Sequence, residues 1–351
     1  MNTIYIRTLK RAEHTVFGVE NGQKRYYDPQ FNKYVPYSSG QQVKRSLIDR
    51  LTSVINEVPA PTTFVFDVNS KGELGEGEVF ANCNPMYPDQ LFGGWMKAAK
   101  GGKERTIKRR SPLSISAMRG LHPLLSGIDR ENASFDRSDR PNNEVIVRDK
   151  DGNQMTDEDV IALLEGKDRS LSRKWIPDQR RATGLFIQDI AIDLRRLFTV
   201  SLNTFEPEIT PDTEKQLREN GWIESENIFG KCLVAPKEMQ ENLIPALANS
   251  IINWVITSNQ SRTFSLMETL AISISDNTNK IAGSIRAKLS EEEDKKAIPI
   301  IEEKMEGVYT FVTLPATGYV LTKSEKVDAL EKAEEKLIEL MQTFDYENQL
   351  A

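Results

Sequence analysis

Ser39-Gly-Gln-Gln42-Val-Lys-Arg45 is where residue types and spacing most clearly suggest chemistry. The S-x-x-Q spacing is that of a capping box, in which the serine and glutamine side chains each satisfy an orphan amide at a helix start. The helix opened there should run to about Glu57, burying Val43, Leu47, Leu51, Val54 and Ile55 and leaving Gln41, Lys44 and Arg45 outside. Cations at a helix N-terminus oppose its macrodipole, so their presence is explained by an anion such as a phosphate that meets amides and cations together. Just upstream, residues 13–38 read as a polar loop in which Lys24, Arg25 and Lys33 alternate with Tyr26, Tyr27, Phe31, Tyr34 and Tyr37. Such a segment supplies charges for phosphates and rings for unpaired bases; the competing reading is a loop pinned to the core by its tyrosines. A third cationic stretch, Lys97 to Arg110, holds Lys97, Lys100, Lys103, Arg105, Lys108, Arg109 and Arg110 against Glu104 alone. It suits a polyanion, and equally a solvated loop.

Other chemistries are missing. Around Gly102-Lys103 a phosphate-cradling loop would need glycine at Lys97 and Ser or Thr at Glu104, and Gly72, Gly75 and Gly77 are misspaced for a dinucleotide site. Two histidines, His14 and His122, and two distant cysteines, Cys83 and Cys232, provide neither a zinc site nor a disulfide framework, and the histidines read as loop residues or donors to RNA. Asp129, Asp136 and Asp139 alternate with Arg130, Arg137 and Arg140, the pattern of a solvated loop, with a cleaving carboxylate as the alternative. The expectation is therefore a binding protein with no metal or cofactor.

The elements that must position these groups follow from periodicity. The chain has 351 residues, 38% hydrophobic and 28% charged, enough for one or two domains. Its net charge of −6 hides an asymmetry: residues 1–200 carry 31 Lys and Arg against 26 Asp and Glu, and residues 201–351 carry 15 against 26. Mean hydropathy is −0.48, and no apolar run approaches the roughly 20 residues of a bilayer span. Residues 1–11 have no signal-peptide pattern, so a cytoplasmic protein is expected. Strands are expected from Thr3 to Leu9, Thr62 to Val68, Gly184 to Leu194 and Leu266 to Ser275. A second helix spans Leu243 to Thr257 and a third, opened by Thr322-Lys-Ser-Glu325, reaches about Phe344 with acidic outer faces. The order strand, helix, strand, long insertion, strand, helix, strand predicts an α+β fold with a ferredoxin-like or RRM-type split βαβ core. Residues 1–68 and 184–275 would form that core, 69–183 an insertion with the basic loop, and 276–351 a C-terminal extension carrying the acidic helix.

Three blocks, in order, resemble the repeated backbone subunit of type I CRISPR surveillance (Cascade) complexes, the Cas-seven family of the RAMP superfamily. Ser38-Ser-Gly-Gln-Gln-Val-Lys-Arg45 is similar to that family's Ser/Gln…Lys-Arg element. Asp89-Gln-Leu-Phe-Gly-Gly94 followed by Lys108-Arg-Arg-Ser-Pro-Leu-Ser-Ile-Ser-Ala117 is similar to the segment ahead of its thumb. Gly184-Leu-Phe-Ile187 and Asn259-Gln-Ser-Arg-Thr-Phe264 are similar to the strand returning from the thumb and to a loop ending in Arg-Thr. The resemblance spans roughly residues 1–275 and departs at Gly40, usually polar, and at the acidic C-terminal helix. It implies an RRM-like core that binds guide RNA (crRNA) without catalysis, copies of itself stacked as a filament, pairing of the guide with target DNA, and contacts to other Cascade subunits. The RNA-binding residues are then expected at Ser38, Ser39, Gln41, Gln42, Lys44, Arg45, Lys108, Arg109, Arg110, Ser114, Ser116, Gln260, Arg262 and Thr263, joined by His14, Lys24 and Arg25. A base-displacing thumb would lie within 121–183, with Phe135, Trp175 and Ile176 as its apolar candidates. The alternatives are a target-RNA-cleaving relative and an unrelated basic-patch RNA-binding scaffold.

Overall fold

Alternation along the first strand sets the two faces of the main sheet. In the computed structural model, which describes residues 1–17, 23–98, 105–130, 138–166, 180–256, 264–291 and 296–350, β1 (Thr3–Thr15) points Ile4 and Ile6 to one side and Tyr5, Arg7 and Leu9 to the other. A hairpin follows, β2 (Arg25–Asp28) and β3 (Lys33–Ser38), then α1 (Gly40–Ile55) and a second hairpin, β4 (Thr63–Val68) and β5 (Leu74–Phe80). Next come α2 (Pro88–Gly93), the short strands β6 (Trp95–Lys97), β7 (Ile107–Arg109), β8 (Leu113–Ile115), β9 (Met118–Gly120) and β10 (Ser126–Arg130), and α3 (Asp157–Leu164). The long strand β11 (Arg180–Asp193) returns to the centre. It is followed by α4 (Leu194–Leu197), β12 (Thr199–Ser201), α5 (Pro211–Glu219), β13 (Ile223–Asn227), β14 (Gly230–Val234) and α6 (Lys237–Asn253). The C-terminal part adds β15 (Thr269–Ser275), α7 (Thr278–Ser284), β16 (Ile285–Leu289), β17 (Ala297–Ile301), β18 (Tyr309–Thr313), β19 (Glu325–Lys326) and α8 (Ala329–Gln342).

The fold is α+β. The main sheet runs β19-β18-β15-β1-β11-β9-β3-β2, with β8 and β10 also paired to β11. Both neighbours of β1 are antiparallel, in the registers Arg7↔Asp189 and Arg7↔Ser273. One face is covered by α1, α6 and α8: Val43, Leu47 and Leu51 of α1 and Leu247 and Ile251 of α6 close over Ile4, Ile6, Phe186, Ile190 and Ile192. On the opposite face a smaller cluster of Leu9, Leu185, Ile187, Ala271, Ile285 and Val312 covers one end.

Several expectations are corrected. Residues 25–38 are a hairpin rather than a loop, because Tyr26, Tyr27, Tyr34 and Tyr37 make cross-strand ring pairs and Asp28 Oδ1 accepts the Gln30 and Phe31 amides at 3.0 Å each to close the turn. Thr63–Val68 is a strand but lies outside the main sheet; it pairs with β5 alone, and Phe64, Phe66 and Val68 are 62%, 57% and 69% exposed. The sheet position expected for it is filled by residues 113–130, where Ile115 pairs with Ile190, Arg119 with Ile187 and Ser126 with Gly184. Three-residue strands such as β8 and β9 are too short to register as alternation. Glu325 does not cap a helix but pairs with Val312 in β19, and α8 starts after Asp328. Cys83 and Cys232 are free and buried.

Candidate nucleic-acid interface

The junction of β3 and α1 forms the centre of the site. Ser39 has extended geometry at the N-cap of α1, and its Oγ accepts the Gln42 amide at 3.3 Å, half of the expected capping box. Gly40 then passes so close to β8 that a Cβ there would lie 2.6 Å from the Ile115 carbonyl oxygen and 3.2 Å from Ser116. Only glycine allows this approach, which explains the departure noted at position 40. As a result, the helix start at Ser39–Gln41 meets the backbone of Ile115–Ser116, although more than 70 positions separate the two segments in sequence. Gln41 and Ser114 are exposed, while Ser38 is 1% exposed and its Oγ has no hydrogen-bond partner.

Aromatic residues adjoin this junction. Tyr37 pairs with Arg119 across β3 and β9, and its ring centroid is 6.0 Å from that of Tyr26. Tyr27 and Tyr34 are 5.4 Å apart, and the Arg25 guanidinium lies 4.3 Å from the Tyr34 ring centroid. Tyr26, Tyr27 and Tyr34 are 37%, 49% and 51% exposed, so they offer ring surface as well as packing. Burial raises the Tyr26 pKa, Asp28 adds to the rise and Arg119 opposes it, so the phenol stays protonated. Lys24 is exposed at the start of this hairpin. Lys33 donates to the Pro123 and Ser126 carbonyls at 2.9 and 2.7 Å and so tethers the hairpin to the chain before β10.

The other expected residues divide into three groups. Lys44 and Arg109 turn inward to the carbonyl end of α2: Lys44 Nζ donates to Gly93 O at 2.6 Å, Arg109 Nη1 to Leu91 O, and Ser111 Oγ to Phe92 O at 2.7 Å. Arg109 is 4% exposed and also donates to Arg196 O and Thr199 O, so it is a packing cation. Burial lowers the Lys44 pKa to about 8, helped by the nearby Arg109 charge. Arg45, exposed, makes a 3.8 Å pair with Asp49 on the same helix. Lys108 pairs with Glu206 at 3.3 Å, and Arg110 lies apart, beside Arg196 and Phe229. His14 sits at the bulged end of β1 with φ 43° and its amide donating to Thr183 Oγ1. Gln260, Arg262, Thr263, Phe135, Trp175, Ile176 and Asp136 lie outside the described residues. Asp129 pairs in register with Arg181 on β11. Among the described residues no cluster of three metal-ligating side chains occurs, and no helix is long and apolar enough to cross a membrane.

The sequence reading missed Arg119 and the projecting β4–β5 hairpin. Arg119 stands alone among small and apolar residues, and no short-range pattern marks it. The exposed rings of Phe64 and Phe66 look like core alternation until the sheet order is known.

No family model matches the sequence, and no curated protein matches it. Among solved structures, the chain is similar to a chain of a CRISPR RNA-guided surveillance complex, with 12% identity, 96% of this chain and 84% of that chain covered, and a TM-score of 0.39. It is also similar to a chain of a "CRISPR RNA-guided surveillance complex, pre-nicking", with 9% identity, 96% and 89% covered, and a TM-score of 0.44.

Proposed function

We propose that this chain is a backbone subunit of a CRISPR surveillance complex, which binds guide RNA along one face of its sheet and assembles in successive copies on that RNA. The observation that carries the reading is the closure of Gly40 onto Ile115–Ser116. It gathers a capped helix start, serine hydroxyls and a tyrosine-rich hairpin on a surface that suits an extended single strand. The strand order β15-β1-β11-β9, with α1 and α6 stacked on one face, fits an RRM-type core whose other face takes RNA. The rings of Phe64 and Phe66, carried on an exposed hairpin, suit the base-displacing wedge. That hairpin bears Asp67, Glu73, Glu76 and Glu78 against Lys71, so its contribution is stacking rather than phosphate binding. The subunit acts by presenting base edges for pairing with target DNA, without catalysis of its own, in the cytoplasm, and specificity resides in the guide.

The test is light scattering with absorbance at two wavelengths on the purified protein with single-stranded RNAs of increasing length. Mass that rises by one subunit per fixed increment of nucleotides is the expected result. A monomer that ignores RNA at low and moderate salt overturns the reading.

A further inference from the structure

Arg7, Asp189 and Arg119 form a charged chain across the open face of the sheet. Arg7 on β1 lies opposite Asp189 on β11, and Arg119 on β9 lies opposite Ile187, two residues along the same strand. Arg7 is fully engaged: Nε and Nη2 donate to the two Asp189 oxygens at 2.6 and 3.0 Å, and Nη1 donates to the carbonyls of Ala282 and Ile285 at 2.9 and 3.1 Å. Its side chain is 11% exposed and is not available to an outside anion. Arg119 differs in both respects. Its side chain is 39% exposed, and Nη1 and Nη2 each reach Asp189 Oδ2 at 3.3 Å, long for a charge-assisted bond. Two guanidinium groups thus share one carboxylate, and the surplus positive charge is on the exposed one.

The surroundings suit a sugar–phosphate chain. A trough of about 450 Å³ runs along this face, with Tyr5, Ser114, Ser116, Asp189 and Thr278 among its walls. Ser116 Oγ accepts the Asp189 amide at 2.9 Å, which locks the carboxylate-bearing residue to the segment that receives Gly40. Arg119 therefore lies between the trough and the Tyr26–Tyr37 ring pair.

We propose that Arg119 contacts a backbone phosphate of the bound single-stranded RNA and that Asp189, clamped by Arg7, is the positioning residue that aims its guanidinium. The inference rests on the RNA-binding reading above. A carboxylate beside a polyanion is unfavourable unless it does something else, and holding a planar guanidinium in one orientation reduces the side-chain entropy lost when the phosphate arrives.

This makes an unusual sign prediction, read by fluorescence anisotropy with a labelled single-stranded RNA over a salt series. Arg119→Ala should weaken binding about tenfold and make the salt slope shallower by about 0.7, with Arg119→Lys restoring the slope but only part of the affinity. Asp189→Asn removes a negative charge, which for a mere surface charge tightens binding; positioning predicts that it weakens binding instead, and that it no longer does so in an Arg119→Ala background. Asp189→Glu, which keeps the charge and moves the carboxylate, should also weaken binding, and it decides the matter if the asparagine variant melts early. Tighter binding by Asp189→Asn, or unchanged binding by Asp189→Glu, overturns the positioning role, and wild-type affinity in Arg119→Ala overturns the contact. A wild-type protein that fails to bind RNA at low salt overturns the function reading itself and this inference with it.

Discussion

At the scale of single residues, position 40 shows how an absent side chain builds a site. A methyl group there would lie 2.6 Å from the Ile115 carbonyl oxygen, so Gly40→Ala must push α1 away from β8. Overpacking of this kind typically costs about 1–3 kcal/mol, and the expected result in urea unfolding is a lower midpoint accompanied by weaker RNA binding. Gly93→Ala, where a Cβ meets nothing within 4 Å, is the matched control and should leave the midpoint nearly unchanged. Lys44 and Arg45, adjacent in sequence, separate by the same logic. Lys44→Met removes the 2.6 Å donor to Gly93 O and is expected to destabilise the fold, whereas Arg45→Glu, on an exposed residue, is expected to weaken RNA binding with an unchanged melting temperature. A thermal melt and an anisotropy titration on the two variants separate the effects. Lys10 gives a pH prediction. Its ammonium is buried under the Trp254 ring at 4.7 Å, hydrogen-bonded to Thr269 Oγ1 at 2.8 Å, and burial lowers its pKa from 10.5 to about 7. Between those values the unfolded chain holds a proton that the folded chain has shed, so this residue makes stability rise with pH from about 7 to about 10.5. Urea midpoints at pH 7 and pH 9 should differ in that direction, and Lys10→Met should flatten the difference.

At the scale of elements, legibility followed length. The strand from Thr3, α1 with its Ser39 cap, the strand from Gly184, α6 and the acidic helix α8 are long enough for periodicity to expose them, although the first strand runs on to Thr15, α6 begins at Lys237 rather than Leu243, and α8 begins at Ala329 rather than just after Thr322. Short strands such as β8 and β9 were not, because they are held by β11 rather than by any pattern of their own. Half of the candidate site is legible for the same reason: Ser39 and Gln42 announce a helix start, but its meeting with Ile115–Ser116 depends on an approach so close that a Cβ at position 40 would lie 2.6 Å from the Ile115 carbonyl oxygen, and no spacing encodes that. Lys44 and Arg109 look like phosphate ligands in sequence since nothing local reveals α2, whose carbonyls they hold. Thr62–Val68 reads as a core strand for the opposite reason, since alternation does not say which face meets solvent. Exposed as they are, Phe64 and Phe66 should tolerate replacement. Phe64→Ser with Phe66→Ser is expected to leave the melting temperature unchanged while abolishing any regular pattern of base reactivity along a bound RNA in chemical probing. A pattern identical to wild type would remove the hairpin from the wedge role.

At the scale of the whole molecule, the proposed assembly of copies gives the charge imbalance a use that can be tested. The first 200 residues carry a surplus of five positive charges and the remainder a surplus of eleven negative ones. α8 concentrates part of the latter: Glu331, Glu335 and Glu339 are exposed, while Ala333, Leu337 and Met341 are buried in the core. In the proposed assembly, basic surface of one copy would meet acidic surface of the next in a head-to-tail sense, the arrangement that propagates instead of closing. Polyanion binding alone needs only the basic face, so the acidic face gives the distinguishing test. Glu331→Lys with Glu335→Lys raises the net charge, and on an RNA long enough for a single subunit it should leave affinity equal or tighter. On RNAs that hold several subunits the same variant should lose cooperativity, seen by light scattering as partly filled strands at protein concentrations where the wild type fills them. If the variant fills long RNAs as readily as the wild type, the acidic helix has no part in the contact between copies, and the attraction must lie elsewhere on the C-terminal half.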